Sequence, residues 1–506
     1  MLPRAQETWT LDEAAHLLNR AGFGANPSEI AEFHALGRHK AVESLLAAED
    51  PPTAFPPPDW ATEEQAQAER RKFMEQRREF MKSSGGLTPE KAAERRREVF
   101  KTYQKENRRR ALEMQGWWFR RMLGTRAPLR EKMTLFWHDH FATSIQKVKQ
   151  PYLMLQQNRL FRRHALGSFK ELTQDILVDP AMMIYLDTGS SRKGKPNENF
   201  AREVMELFTL GVGNYTEQDV HEAAKAFTGY QLNRMDDKVT HNRRLWDDGP
   251  KTVFGRTGSF DGSDVINLIF DKPQAAAFMT KKIWEYFVYD NPAPAAIGQL
   301  AEGFRKADYR LTPLLREIFL SKEFYSEAAM RTQIKCPVQF TIAMLKQLEI
   351  DNPPPGFPIM AEQQLGQVLF MPPNVAGWDW GQAWINTNTL FTRYNLAGFI
   401  TKGSATAADS MNDGRAKMKG MARAPMLAER NWKGPDYESI APRPLRENPA
   451  DLVDKLIFRF FQGPVPANAR DSFVQFANAE KGVILTNTEV AKLCHLMLST
   501  PYYQLC

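Results

Sequence analysis

Five polar side chains ride on one short amphipathic stretch, NENFAREVMEL (197–207). Glu198, Arg202 and Glu206 recur at four-residue spacing, with Asn199 and Glu203 beside them, while Phe200, Val204, Leu207 and Phe208 make the opposite, apolar stripe. Carboxylates paired around an arginine can serve as metal ligands or as a general acid and base, with the guanidinium clamping an anion. That chemistry requires a second layer over the face, because buried carboxylates need a compensating charge. The alternative is a Glu–Arg–Glu ladder in water, worth a few tenths of a kcal/mol, roughly, per pair. The face carries no lysine, and Asn197 and Asn199 at its start are short polar groups suited to positioning.

Two histidines flank an aspartate in PLREKMTLFWHDHFATS (128–144). At about 100° per residue, Leu129, Met133, Phe136 and His140 share one helix face and Glu131, Thr134 and His138 the other. The imidazoles therefore reach a common metal only if the helix stops near Trp137 and the HDH triplet runs extended. Otherwise His140 is a core imidazole satisfied by a hydrogen bond. His221 follows a capping box, Thr216 with Asp219, and borders the core stripe of its helix next to Glu217 and Lys225. The expected ligand set is His138, His140, Glu203, Glu206 and His221 around a divalent ion, with Zn, Fe or Mn favoured by the ligand types. Glu198, Arg202, Glu206 and the loop residue Lys251 form the expected catalytic group. No Glu-x-x-His pair, the usual bundle signature of such a site, is present. Downstream, PPNVAGWDWGQAWINTNTL sets three tryptophans among Gly, Asn and Asp; Asn374, Trp378 and Trp380 form a candidate ligand platform, or the rings plug this loop onto the core.

Helices must position these groups. Helical periodicity runs from TLDEAAHLLNRAGFG onward and is interrupted between Tyr230 and Gly262, where a loop with one short hairpin is expected. No βαβ alternation, internal repeat or phosphate loop occurs, so the fold is mostly α: a multi-helix, bundle-like globular domain with a long basic helical hairpin and a minor β-hairpin region. The expected organisation is an N-terminal helical segment (1–61), a charged hairpin (62–122) broken at SSGGLTP, and a main helical domain with the site (123–400). An irregular linker (401–448) and a C-terminal helical unit packing on the main domain (449–506) follow.

The 506 residues include 42% hydrophobic and 25% charged ones, an ordinary globular balance. The three cysteines, Cys336, Cys494 and Cys506, offer no CxxC pair, which argues against a disulfide scaffold or a thiolate zinc site. Much of the net charge of +7 sits in the 62–122 hairpin, where Glu interleaves with Arg; that pattern favours solvated i,i+4 pairs over nucleic-acid binding. No export signal and no membrane span are read, so the expected location is the cytoplasm, or the periplasm if the chain is a processed form.

The blocks LLNRAGFGANPSE, RRHALGSFKEL, DPAMMIYLDTGSSRKGKPNENFAREVMELFTLG and PPNVAGWDWGQAWIN, in this order, resemble the bacterial domain-of-unknown-function family numbered eighteen hundred. The resemblance implies a functional partner, since members are often encoded beside a sulfatase-like family numbered fifteen hundred and one. It also marks a departure: where many relatives read His-Asp-x-Gly-x-Lys, this chain has Trp246 through Lys251, with His241 five residues upstream. The leading functional expectation is a metal-dependent hydrolase or oxidoreductase. The alternatives are a non-catalytic scaffold acting with a partner protein and a nucleic-acid binder using the Arg-rich arms.

Overall fold

The computed structural model describes residues 2–6, 8–83, 88–233, 236–354, 356–402, 432 and 434–506. Helices dominate, and their boundaries follow local chemistry. Helix Leu11–Arg20 begins at a capping box in which Thr10 accepts from the Glu13 amide and Glu13 returns the bond. Helices Pro27–Leu36, Glu217–Ala226 and Gly262–Asp271 start the same way, on Asn26, Thr216 and Asp261. Helices Pro128–His140, Pro151–Arg163 and Pro337–Gln347 instead place proline in the first turn, where its missing N–H costs nothing.

The basic hairpin forms as helices Glu63–Ser83 and Pro89–Gly124, the second capped by Thr88. Its turn, 84–87, and the side chains of Phe73, Phe80, Met81 and Val99 lie outside the described residues. The arginines near its base are neutralised within the protein: Arg109 bonds Glu106 and Glu113, and Arg110 bonds Glu69 and Glu106. Between Tyr230 and Gly258 there are two antiparallel hairpins, not one: Tyr230–Asn233 with Lys238–His241, and Lys251–Val253 with Arg256–Gly258. The second rests on helix Glu217–Ala226, where Asp219 accepts from the Phe254 amide (2.7 Å) and Glu222 from the Thr252 amide (3.2 Å). Most of the expected irregular linker, 403–431 and 433, lies outside the described residues. Among the described residues no helix is long and apolar enough to cross a membrane.

Two large hydrophobic clusters make the interior. One gathers Leu129, Met133, Trp137, Phe169, Ile266 and Trp284; the other gathers Trp118, Leu135, Phe340, Leu396, Leu456 and Tyr503. Helix Pro128–His140 feeds both, Leu135 facing the second cluster while its neighbours Phe136 and Trp137 face the first. It is a seam, and Glu131, Lys132, Thr134, His138 and His140 on it are buried away from solvent. Glu131 is fully buried and receives two bonds from Arg162 (2.5 and 2.9 Å), one from Arg121 (2.7 Å) and one from the Trp118 indole (2.9 Å). Burial pushes its carboxyl up, but Arg162 and Arg121 more than offset this and hold it below the ordinary carboxylate range.

Glu362 shows the opposite balance. Burial drives its carboxyl up to about 8, although it accepts from the Leu369 amide (3.0 Å), and its Oε1 has no partner among the described residues. The folded protein thus binds this proton more tightly than the unfolded chain does. The stability contributed is complete below the unfolded value, about pH 4, and is lost as pH rises through the folded value. Glu362→Gln should therefore match the parent near pH 4 and exceed its unfolding free energy by about 4–5 kcal/mol near pH 8. Urea unfolding at both pH values checks this; identical pH dependence in the two proteins would refute it.

Candidate functional site

The HDH triplet stays helical through His140, so its three side chains leave in three directions. Asn158 donates to Nε2 of His138 (3.1 Å), and the ring packs between Trp118, Phe161 and Phe370. Asp139 accepts from the Trp378 amide (2.6 Å). His140 donates from Nε2 to the Phe208 carbonyl (2.9 Å) and accepts at Nδ1 from Lys282 (3.2 Å). Burial first, then the positive charge of Arg162 or Lys282, lowers both imidazoles well below their usual value, so both are neutral. The extended arrangement that would bring the two rings onto one ion does not form. The triplet instead ties helix Pro151–Arg163, the tryptophan loop and the 204–209 segment to the seam.

The 198–206 face lies at the surface, with Glu198, Arg202, Glu203 and Glu206 each partly exposed. Arg202 makes two 2.8 Å bonds to Glu217 and a longer one, 3.5 Å, to Glu198; His221 pairs with Glu198 at 3.1 Å. Helix Asn199–Glu203 passes directly into a π-helical turn, Val204–Thr209. The wider turn shifts the phase, so that Glu206 is bonded by the Tyr215 hydroxyl instead of continuing the ladder to Arg202. Glu203 is half-buried; burial and then repulsion from Glu206 raise its carboxyl. His138 and His140, Glu203 and Glu206, and His221 are thus engaged in separate contacts. Among the described residues no group of three His, Cys, Asp or Glu side chains is arranged to hold a metal ion.

Lys251 is also taken. It is buried beneath the Trp246 ring (4.6 Å to the centroid) and donates to the carbonyls of Asp247 and Gly249 (3.0 Å to the latter). Trp246 therefore covers the lysine that braces its own loop, and His241 lies on the exposed edge strand, its ring against Tyr230 (4.6 Å). Neither reaches the 198–206 face by any bond described.

The tryptophan loop divides its labour. Asn374 is exposed and bonds only its own loop, accepting from the Ala376 amide (2.8 Å). Trp378 is buried, and its amide is the one held by Asp139. Gly377 has φ +96°, and a Cβ there would sit 2.6 Å from the Asp139 carbonyl oxygen, so only glycine lets the loop close on the helix end. Trp380, 41% exposed, leans on Tyr286 (5.2 Å between centroids) and overhangs a cavity of about 430 Å³.

That cavity lies where the two hydrophobic clusters meet, and its walls include Arg20, Lys132, Tyr286, Cys336, Gln339 and Trp380. Lys132 is buried, donates to Gln339 (2.8 Å) and lies 5.2 and 5.5 Å from the Phe23 and Tyr286 ring centroids. Arg20 is buried too, donating only through one terminal nitrogen, to the carbonyls of Val288 (3.0 Å) and Ala329 and to Thr332 (3.4 Å). Its Nε and other terminal nitrogen have no partner among the described residues. Burial lowers the Arg20 guanidinium to about 10; it also lowers the Lys132 amine, to which the Arg20 charge adds a smaller share. The sequence reading found Trp380 but missed Arg20 and Lys132. A signal exists: Lys132 stands three residues after Leu129 and four before Phe136, and Arg20 three after Leu17, so both are cations on apolar helix faces.

A family model described as "Protein of unknown function (DUF1800)" matches residues 16–505. No curated protein and no solved structure matches the chain.

Proposed function

This chain belongs to the DUF1800 family, and for it we propose a binding function: a small organic molecule enters the cavity beneath Trp380. The observation that carries this reading is the exposed indole of Trp380, tilted against the Tyr286 ring at the mouth of a cavity that lies between two cores. A volume of about 430 Å³ falls within the range of small-ligand sites, which favour such junctions and combine apolar walls with a few polar groups. The 198–206 face offers less support, because Glu198 and Arg202 are already paired with each other, with Glu217 and with His221 at the surface.

Ligand-observed NMR with indole, benzyl alcohol and benzoate tests the reading. At least one fragment should bind the parent and bind Trp380→Ala at least ten times more weakly, a loss of about 1.4 kcal/mol. Because the side chain is substantially exposed, the variant should keep the parent's melting temperature closely. Fragments that ignore the protein, or that bind the variant as they bind the parent, would overturn the proposal.

A further inference from the structure

Buried charge without a counter-charge is costly, and proteins retain it where a ligand supplies the missing sign. Arg20 and Lys132 both line the cavity, and no carboxylate lies within ion-pair distance of either among the described residues. Asp290 lies on the same cavity wall and its charge favours the Arg20 cation from a distance, but it is exposed and forms no ion pair with either cation. Behind the cavity, Lys335 and Arg393 are also buried and bonded only to neutral groups: Lys335 to the Tyr503 carbonyl (2.8 Å), Arg393 to Gln504 (2.9 Å) and the Lys335 carbonyl (2.9 Å). Elsewhere in the interior the chain does neutralise such groups, as Glu131 does for Arg162. The lack of an ion-paired carboxylate here is local.

Resting on the binding role proposed above, we infer that the ligand of this cavity is an organic acid, whose anionic group is held by Arg20 and Lys132 while its apolar body lies against Trp380. The guanidinium supplies directional N–H donors without partners, and the ammonium supplies a compact charge that can rotate away from Gln339. A carboxylate, a phosphate monoester and a sulfate ester share this chemistry, and the phenyl series separates them.

Binding of benzoate, phenyl phosphate and phenyl sulfate is compared with that of benzyl alcohol by calorimetry on the full chain at constant ionic strength. At least one anion should bind ten times or more tightly than the alcohol, and Lys132→Met should abolish that preference. In the absence of added anion, Lys132→Met should melt no lower than the parent, since it removes a buried charge that has only neutral partners. Lys132→Arg, which keeps the charge, should retain a preference for the anion. Equal binding of alcohol and anions to the parent would overturn the acid inference and leave the cavity reading standing. A preference that survives Lys132→Met would also overturn it. Failure of all four compounds to bind would overturn the acid inference, and failure of indole as well would overturn the cavity reading.

Discussion

Glu131→Gln is expected to lower the unfolding free energy by about 3–5 kcal/mol, the usual cost of removing one partner from a buried charge pair. The substitution keeps the shape of the side chain and deletes only its charge, leaving buried Arg162 facing a neutral amide, while Arg121 retains only its bond to Asp50 (3.2 Å). One amide NH2 would also be forced toward donors, because both carboxylate oxygens now accept. The effect should spread, since Arg162 also donates to Asn158 (2.7 Å), which holds His138 in turn. Urea unfolding followed by tryptophan fluorescence measures it. A loss under about 1 kcal/mol, the scale of an exposed pair, would show that the network is hydrated and not the seam described.

Gly377→Ala should cost nearly as much and, unlike Glu131→Gln, should act on ligand binding as well. The φ of +96° is strained for any residue with a Cβ, about 1–3 kcal/mol, and the collision with Asp139 adds a similar amount, about 1–3 kcal/mol. The loop can relieve both only by lifting from the helix end, which breaks the Trp378 amide bond to Asp139 and carries Trp380 away from Tyr286. Loss of fragment binding alongside the destabilisation is the expected result. A variant that unfolds like the parent and binds fragments normally would show that the loop does not depend on this contact.

These two positions show how differently the features of this chain could be read. The helices were legible because their signals are local: capping pairs such as Thr10 with Glu13 and Thr216 with Asp219, and prolines such as Pro128 and Pro337, act within one turn. The opposed faces of His138 and His140 were legible too, because helical angle alone separates them. The π-helical turn at Val204–Thr209 was not, and neither was the extra strand pair, since each depends on what packs against it.

The amino-acid sequence by itself determined a mostly helical chain, its family, and where its amphipathic segments lie, because backbone hydrogen bonding and side-chain periodicity are decided over a few residues. Only the tertiary structure decided which polar faces are covered. Glu198, Arg202 and Glu206 have the pattern of a site, yet Arg202 pairs with Glu198 and Glu217 at the surface and Glu206 turns to Tyr215, whereas Arg20 and Lys132, more than a hundred residues apart, line one cavity without an ion-paired carboxylate. Burial is a property of what the rest of the chain places on top of a residue, and burial, not residue type, sets the cost of a charge and so its use.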